Sequence, residues 1–497
     1  MKYSFYTALF GAVVLYANDI DLKNTNLYNE TAFIPPQCYT KTTDDNGIKH
    51  NPCYACHTKS TEPNYTNDDD LQETYSFPEY ATKNRWINLF KDRTKQIINI
   101  SDKEILNYIQ KDNYKDKNNN IILSQKLKNI PKNWDANNNG KWDGIIPDCN
   151  FNFDEKGFDR DDKNLITGWR AFGYYPFLGT FWPTNGSTDD VMIRLPKLFW
   201  KDKKGNISLS VYEQNLDIVE RLIKQKKEQR PTSYVGLAST KNLKIASGLY
   251  PVGTEFLHSV RYIDVKDDEI SMSKRMKELR YAKKLYWANY NTHQDLAEEE
   301  MKETSDFPDR YSVYNGDIEQ GLSNKRGWTY QGFIEDKNGE LRPQSYEETL
   351  FCMGCHSSIG AITDSTFSFP RKFEHTLNNG WYDWSKKGLK GIIDKNDEYL
   401  KYLKNNNHAN EFRDNIEVYN KFFKDGKLNT TETSKIQKDI SYLLFPSAKR
   451  AITLNKAYKV IVDEQSFIYG RDGHIKPINS VHKQTKEEQS TKLEIVE

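Results

Sequence analysis

Two pentads, CYACH at Cys53–His57 and CMGCH at Cys352–His356, put two cysteines and a histidine at one fixed spacing twice in this chain. The sequence holds only six cysteines and nine histidines, so chance is a poor account of both. A zinc ribbon uses Cys-x-x-Cys pairs ~15–20 residues apart and does not need the histidines. A thioredoxin-like dithiol needs one pair beside a βαβ unit, and no such alternation surrounds Cys53. Covalent haem attachment uses every residue of the pattern. Two thiols a short turn apart reach the porphyrin edge, and the next residue aims an imidazole at the iron.

On these residues the chain resembles c-type cytochromes, specifically a large two-haem bacterial type. The resemblance is confined to two short segments. It implies two haem c groups attached at Cys53, Cys56, Cys352 and Cys355, with His57 and His356 as proximal iron ligands. Two-haem bacterial peroxidases and related oxygenases resemble the same plan, with one electron-transfer haem and one reactive haem. None of their active-site signatures is matched here.

What fills the remaining axial position of each iron separates a carrier from an enzyme, since a closed iron suits electron transfer and an open one admits substrate. His258 leads the candidates, in the apolar stretch GTEFLHSVRYIDV, with Arg261 near enough to meet a haem propionate. His375 in FPRKFEHTLNNG follows, and Met192 and Met276 are thioether alternatives. The competing account of each is an ordinary core residue. The expectation is an exported two-haem electron carrier working with a periplasmic redox partner protein. The alternative is a haem-based oxidoreductase, peroxidase-like or acting on a small sulfur compound.

Export is read from the N-terminus, MKYSFYTALFGAVVLYANDI, where Lys2 precedes a short apolar run and Ala17 offers a cleavage site. No later run approaches the ~18 apolar residues of a membrane span. Lys plus Arg total 71 and Asp plus Glu 70, so no basic field attracts nucleic acid or anionic lipid. In an oxidising compartment the two leftover thiols, Cys38 and Cys149, are candidates for a disulfide. Asp135, Asn137, Asn139 and Asp143 occupy ligand positions of an EF-hand-type calcium loop. Ile146 stands where that loop needs a glutamate, so calcium competes with an Asx-rich turn that holds no metal.

Periodicity predicts a fold that is mainly α with small β hairpins and long irregular loops. Helices are expected over LSVYEQNLDIVERLIKQKKEQ, SKRMKELRYAKKLYWANYNTHQDLAEEEMKE and PSAKRAITLNKAYKVIVDEQSF. DVMIRL reads as a strand, and TYQGFIEDKNGELRP as a hairpin around Asn338-Gly339 that feeds the second pentad. No internal repeat is visible beyond the pentads. The expected divisions are 1–17 signal peptide, 18–130 N-terminal haem region, 131–265 Asx-rich and aromatic insert, 266–475 C-terminal haem region and 476–497 disordered tail.

Overall fold

The computed structural model describes residues 20–490 except 24–26, 42, 44–46, 48–61, 64–73, 76–77, 174–175, 177–182, 226–229, 358–362, 367–380, 406–414 and 487–488. Cys53, Cys56, His57 and His375 lie outside the described residues.

A nine-stranded antiparallel sheet organises the chain. Its strands are β1 (Phe158–Arg160), β2 (Ile166–Ala171), β3 (Thr188–Arg194), β4 (Glu255–Lys266), β5 (Glu269–Lys284), β6 (Gly316–Asp317), β7 (Gly321–Ser323), β8 (Trp328–Glu335) and β9 (Leu341–Pro343). The spatial order is β1-β2-β3-β4-β5-β8-β7-β6, with β9 paired to β8. The helices used below are α1 (Asp102–Gln110), α2 (Leu209–Ile223), α3 (Tyr290–Asp306), α4 (Tyr346–Leu350), α5 (Met353–His356) and α6 (Ala448–Glu464). The expectation of a mainly α fold is therefore wrong.

The error is concentrated in SKRMKELRYAKK, expected as the first half of a long helix and found in β5. Lys, Arg, Met, Glu and Leu are good helix formers, but propensity is a weak prior that tertiary pairing overrides. β5 lies between β4 and β8, paired with both. Most of its buried charges are paired, Arg275 with Glu335, Glu278 with Arg280 and Arg471, Lys284 with Asp364, while Lys277 donates to the Gly186 carbonyl and Ser187 Oγ. Only the second half of the segment is helical, as α3. The expected helices at α2 and α6, the strand at β3 and the β8–β9 hairpin are present.

Both faces of the sheet are covered, which accounts for apolar runs without visible alternation. Val191, Ile193, Phe256, Ala282 and Tyr330 enter one core, and Met192, Leu257, Leu279, Tyr281 and Phe333 enter another. The period-two switch between neighbours such as Phe256 and Leu257 is that of a strand. Complete burial of each large side chain contributes roughly 1.5–3 kcal/mol. Met192 and Met276 belong to the second core and are fully buried there.

β4 and β5 join through Asp267-Asp268, both with positive φ (51° and 62°), as a two-residue type I′ turn demands. The expected domain border at 265/266 thus falls inside the longest hairpin of the sheet. Asn455 of α6 is buried and pins β4, donating to the Ile263 carbonyl at 2.7 Å and accepting from its amide at 3.3 Å.

A five-residue hairpin unit, Asp-x-(Lys/Asn)-(Gly/Asn)-x, recurs at residues 116–120, 154–158, 161–165, 202–206 and 336–340. In every copy one Asp oxygen accepts from the amides two and four residues on. The fourth residue has positive φ, which only Gly and Asn take readily. The unit is a loop device without any hydrophobic period, so periodicity does not display it.

The tail beyond residue 476 was expected to be disordered, yet its described part is docked. Ile478 and Val481 enter the first core, and Val481 and Gln484 bridge to Thr40 and Lys83.

Asp190 of β3 is buried, and burial pushes its carboxyl up to about 7 from 3.8, against the pull of Arg261. A raised carboxyl keeps its proton in the folded state and loses it first in the unfolded chain, so stability falls as pH rises through about 4 to 7. Asp190→Asn should flatten that slope, with a gain over the parent at pH 7 on the order of 2–4 kcal/mol. Denaturant midpoints of both proteins at pH 4 and pH 7 check this.

Candidate functional site

The second pentad is delivered by a helix start that the sequence encodes. Ser345 caps α4 in a capping box with Glu348, each side chain taking the other residue's backbone amide. Arg342 then grips the Glu348 carboxylate at 2.7 and 2.9 Å. The chain turns through Cys352 into α5, where the His356 amide donates to the Cys352 carbonyl at 2.9 Å. Gly354 allows close approach of the 33–39 segment, since a Cβ there would run into the Phe33 carbonyl and meet Pro35 at 3.0 Å.

Cys352, Cys355 and His356 line one cavity together with Phe256, His258, Arg280, Tyr281, Ala282, Tyr330, Phe351 and Thr366. Phe256, His258, Arg280, Ala282 and Tyr330 project from adjacent strands, with His258 paired across to Arg280 and Phe256 to Ala282. The pentad lies against this patch, and the rings of Tyr330 and His356 are 5.0 Å apart, tilted by 30°.

The two imidazoles share one design. His356 Nδ1 hydrogen-bonds the Thr366 carbonyl, which makes that nitrogen the N–H and leaves Nε2 its lone pair. His258 Nε2 is 2.5 Å from Asp189 Oδ2, which leaves Nδ1 as the nitrogen available to a ligand. Iron- and zinc-ligating histidines are held this way, one nitrogen anchored and the other on the metal. Burial, helped by Arg280 and His258, pushes His356 down to about 3, so it is neutral and fit to ligate at physiological pH.

Burial pushes the Cys355 thiol up to about 12 and raises Cys352 as well, in the latter case against Arg280 and Arg471. Both are free thiols. Dithiol exchange relies on a thiol lowered towards neutrality, so these two are poor redox thiols and better suited to permanent attachment. Arg280 is the cation of the cavity. Burial alone would raise Glu278, but Arg280 and Arg471 hold it at about 2. Arg280 brings a guanidinium to the cavity wall, which suits an acidic group on an occupant.

Other expected site residues fall elsewhere. Arg261 does not line the cavity. It donates to the Lys274 carbonyl at 2.7 Å and to Ser259 Oγ at 3.3 Å, and it covers the Phe151 ring. Cys38 and Cys149 are free thiols in different packing clusters, Cys38 beside the core that holds Cys352 and Cys149 fully buried beside Tyr114 and Phe153. The expected disulfide is not formed.

The calcium loop is a closed Asx cluster. Asp135 accepts from the amides of Asn139 and Gly140 at 3.0 and 2.8 Å, and Asp143 Oδ2 accepts from the side chains of Asn137 and Asn139 at 2.8 and 2.7 Å. Glu319, a carboxylate the sequence did not point to, takes the amides of Ala136 and Asp143. Among the described residues no group of three His, Cys, Asp or Glu side chains is placed to hold a metal ion.

Arg280, Tyr330 and Thr366 line the cavity and Asp189 anchors His258 beside it, and none of the four was anticipated. They come from three strands and a loop, and only the pairing of β3 with β4 and β5 with β8 brings them together.

Comparison with known proteins places the chain in a different setting from the one the pentads suggested. The family model that matches residues 22–439 is one of a lipoprotein family. An uncharacterised lipoprotein of Aquifex aeolicus (strain VF5) is 33% identical over 513 residues, spanning 90% of this chain and 86% of that protein. No solved structure matches the chain. The match is not to a cytochrome c family, so the family resemblance drawn from the pentads is overturned, and with it the labels cytochrome, oxidoreductase and metal-binding protein. A five-residue attachment pattern can occur in any fold, and here it is set on a nine-stranded sheet.

Proposed function

The chain belongs to this lipoprotein family, exported proteins of the cell envelope, and we propose that it transfers electrons in the periplasm through covalently held haem. One haem is assigned to the Cys352–His356 cavity and a second to Cys53, Cys56 and His57. The observation that carries the reading is the pair of anchored imidazoles, His356 on the Thr366 carbonyl and His258 on Asp189, lining one cavity with two free thiols.

Each residue then has a role. The Cys352 and Cys355 thiols would hold the group as thioethers, each S–H adding across one of its vinyl groups. His356 through Nε2 and His258 through Nδ1 are the residues that would hold the iron of a bound haem. Arg280 meets a carboxylate of the bound group, while Phe256, Tyr330 and Phe351 exclude water from its faces. A haem held there supplies a one-electron iron couple. Two histidine ligands close the iron, which favours electron transfer over substrate chemistry. The partner is another redox protein. No helix of the described residues is long and apolar enough to cross a membrane.

Spectroscopy of the reduced protein under carbon monoxide tests this. The haem at the second pentad is expected to be low-spin and to ignore carbon monoxide, and His258→Ala is expected to open it to the gas. Carbon monoxide binding to the unmodified protein at this pentad would sink the closed-iron assignment, and a protein without covalent haem would sink the reading as a whole.

A further inference from the structure

Residues 363–366 form a short strap between the second pentad and the sheet. Two consecutive residues in it, Asp364 and Ser365, have φ of 52° without being glycine. Such conformations are costly and persist only where the surroundings over-determine them, often at functional sites.

The surroundings are unusually complete. Fully buried Asp364 accepts on Oδ2 from Lys284 Nζ at 2.5 Å and from the Tyr250 amide at 3.0 Å, and its Oδ1 is 3.2 Å from His293 Nε2. Its carbonyl accepts from Trp328 Nε1 at 3.0 Å. The Ser365 carbonyl accepts from Asn324 Nδ2 at 2.9 Å, and the same amide group donates to the His356 carbonyl at 2.8 Å. Thr366 offers its carbonyl to His356 Nδ1 and its hydroxyl to Tyr330 at 2.7 Å. Asp364, Ser365 and Thr366 are thus each tied, and the last of them touches the histidine of the pentad.

Lys284 and Asp364 have no solvent exposure, and His293 is buried with Nδ1 unpartnered. A buried ion pair contributes little beyond what well-packed apolar residues would, so stability alone does not explain it. What charge and hydrogen bonds add is direction. Apolar packing fixes a volume, whereas this cluster fixes the orientation of successive peptide groups.

We propose that the buried Lys284–Asp364–His293 cluster is a positioning device for His356, locking the strap so that the Thr366 carbonyl stays on Nδ1 and sets the donor strength of Nε2. The proposal rests on the reading of the cavity as a haem site. An N–H engaged by a carbonyl makes the opposite nitrogen a better donor, which favours oxidised iron and lowers the potential. His293 lies in the first turns of α3, so the cluster also ties that helix to the pentad's own support.

The test uses the full exported chain in three forms: Asp364→Asn, Lys284→Met and the double variant. Asn tolerates positive φ, and the double variant leaves no orphaned charge, so at least one form should fold. Haem at the pentad is read by peptide mass, its midpoint potential by redox titration and its ligand field by EPR, with the thermal midpoint recorded alongside. The expected result is unchanged haem content with an upward shift in potential and altered EPR g-values. Parent-like potential and EPR in every folded form, even with a lowered thermal midpoint, would overturn the proposal and make the cluster purely structural. Absence of haem from the parent's pentad peptide would fail the cavity reading itself, and the positioning role with it.

Discussion

Cys352→Ser/Cys355→Ser, exported in a host that attaches haem c, is expected to lose one covalently bound haem and keep its fold. The intact mass should fall by one haem relative to the parent, apart from the two substitutions. The pyridine haemochrome should fall to half, if the first pentad carries the other group. Serine cannot form the thioether, yet it differs from cysteine by a single atom. Cys352 packs in the first core, and Cys355 is only partly buried, so the change costs a small part of one cluster, about 1 kcal/mol per site. A loss of haem at retained thermal stability therefore reports attachment and not unfolding. Unchanged covalent haem content would show that the sulfurs of Cys352 and Cys355 do not hold it. The family match leaves this open, because it names neither a cofactor nor an activity. His356→Ala in parallel separates thioether formation from ligation, since thioethers alone should retain the group while its low-spin spectrum is lost.

The chemistry of the candidate site was legible where it is local. A pentad is a run of adjacent residues, and the sequence displays it outright. His258 stood out because apolar neighbours predicted burial, and the sheet does bring it to the cavity of the second pentad. Its partner Asp189 is remote in sequence, and only strand pairing makes them neighbours. Arg261 lies away from the cavity, and Arg280 lines it, for the same reason. β4 carries register shifts on both sides of Arg261, so counting along the strand does not tell which face the side chain takes. β5 shows the deeper limit. Its charged residues read as the solvated face of a helix, because their partners, Glu335, Asp364 and Arg471, lie far along the chain. The family itself was not legible from the pentads, since a five-residue motif says nothing about the scaffold that carries it.

The largest loss of stability is expected from Glu335→Ala. Glu335 ends β8 with no solvent exposure, and its carboxylate accepts from Tyr108 Oη and Tyr262 Oη at 2.7 Å each and from Arg275 Nε. Arg275, on β5 and itself buried, also donates to the carbonyls of Gly339 and Lys111. The carboxylate thus ties the centre of the sheet to α1 and the β8–β9 turn. Removing it leaves a buried guanidinium and two phenols without their acceptor, at a cost of about 3–5 kcal/mol. That is a large part of the 5–15 kcal/mol by which domains are ordinarily stable. The loss should be mostly orphaned charge and not lost attraction. Arg275→Met/Glu335→Leu, which removes both charges and keeps the volume, is then expected to recover most of it. The exposed pair Lys390–Glu269, 2.6 Å apart with 61% and 72% of its side chains exposed, should cost under about 1 kcal/mol when broken. Urea midpoints with unchanged slopes read all three. A double variant as unstable as Glu335→Ala would mean that the directional hydrogen bonds themselves, and not the charge left behind, hold β5 against β8 and α1.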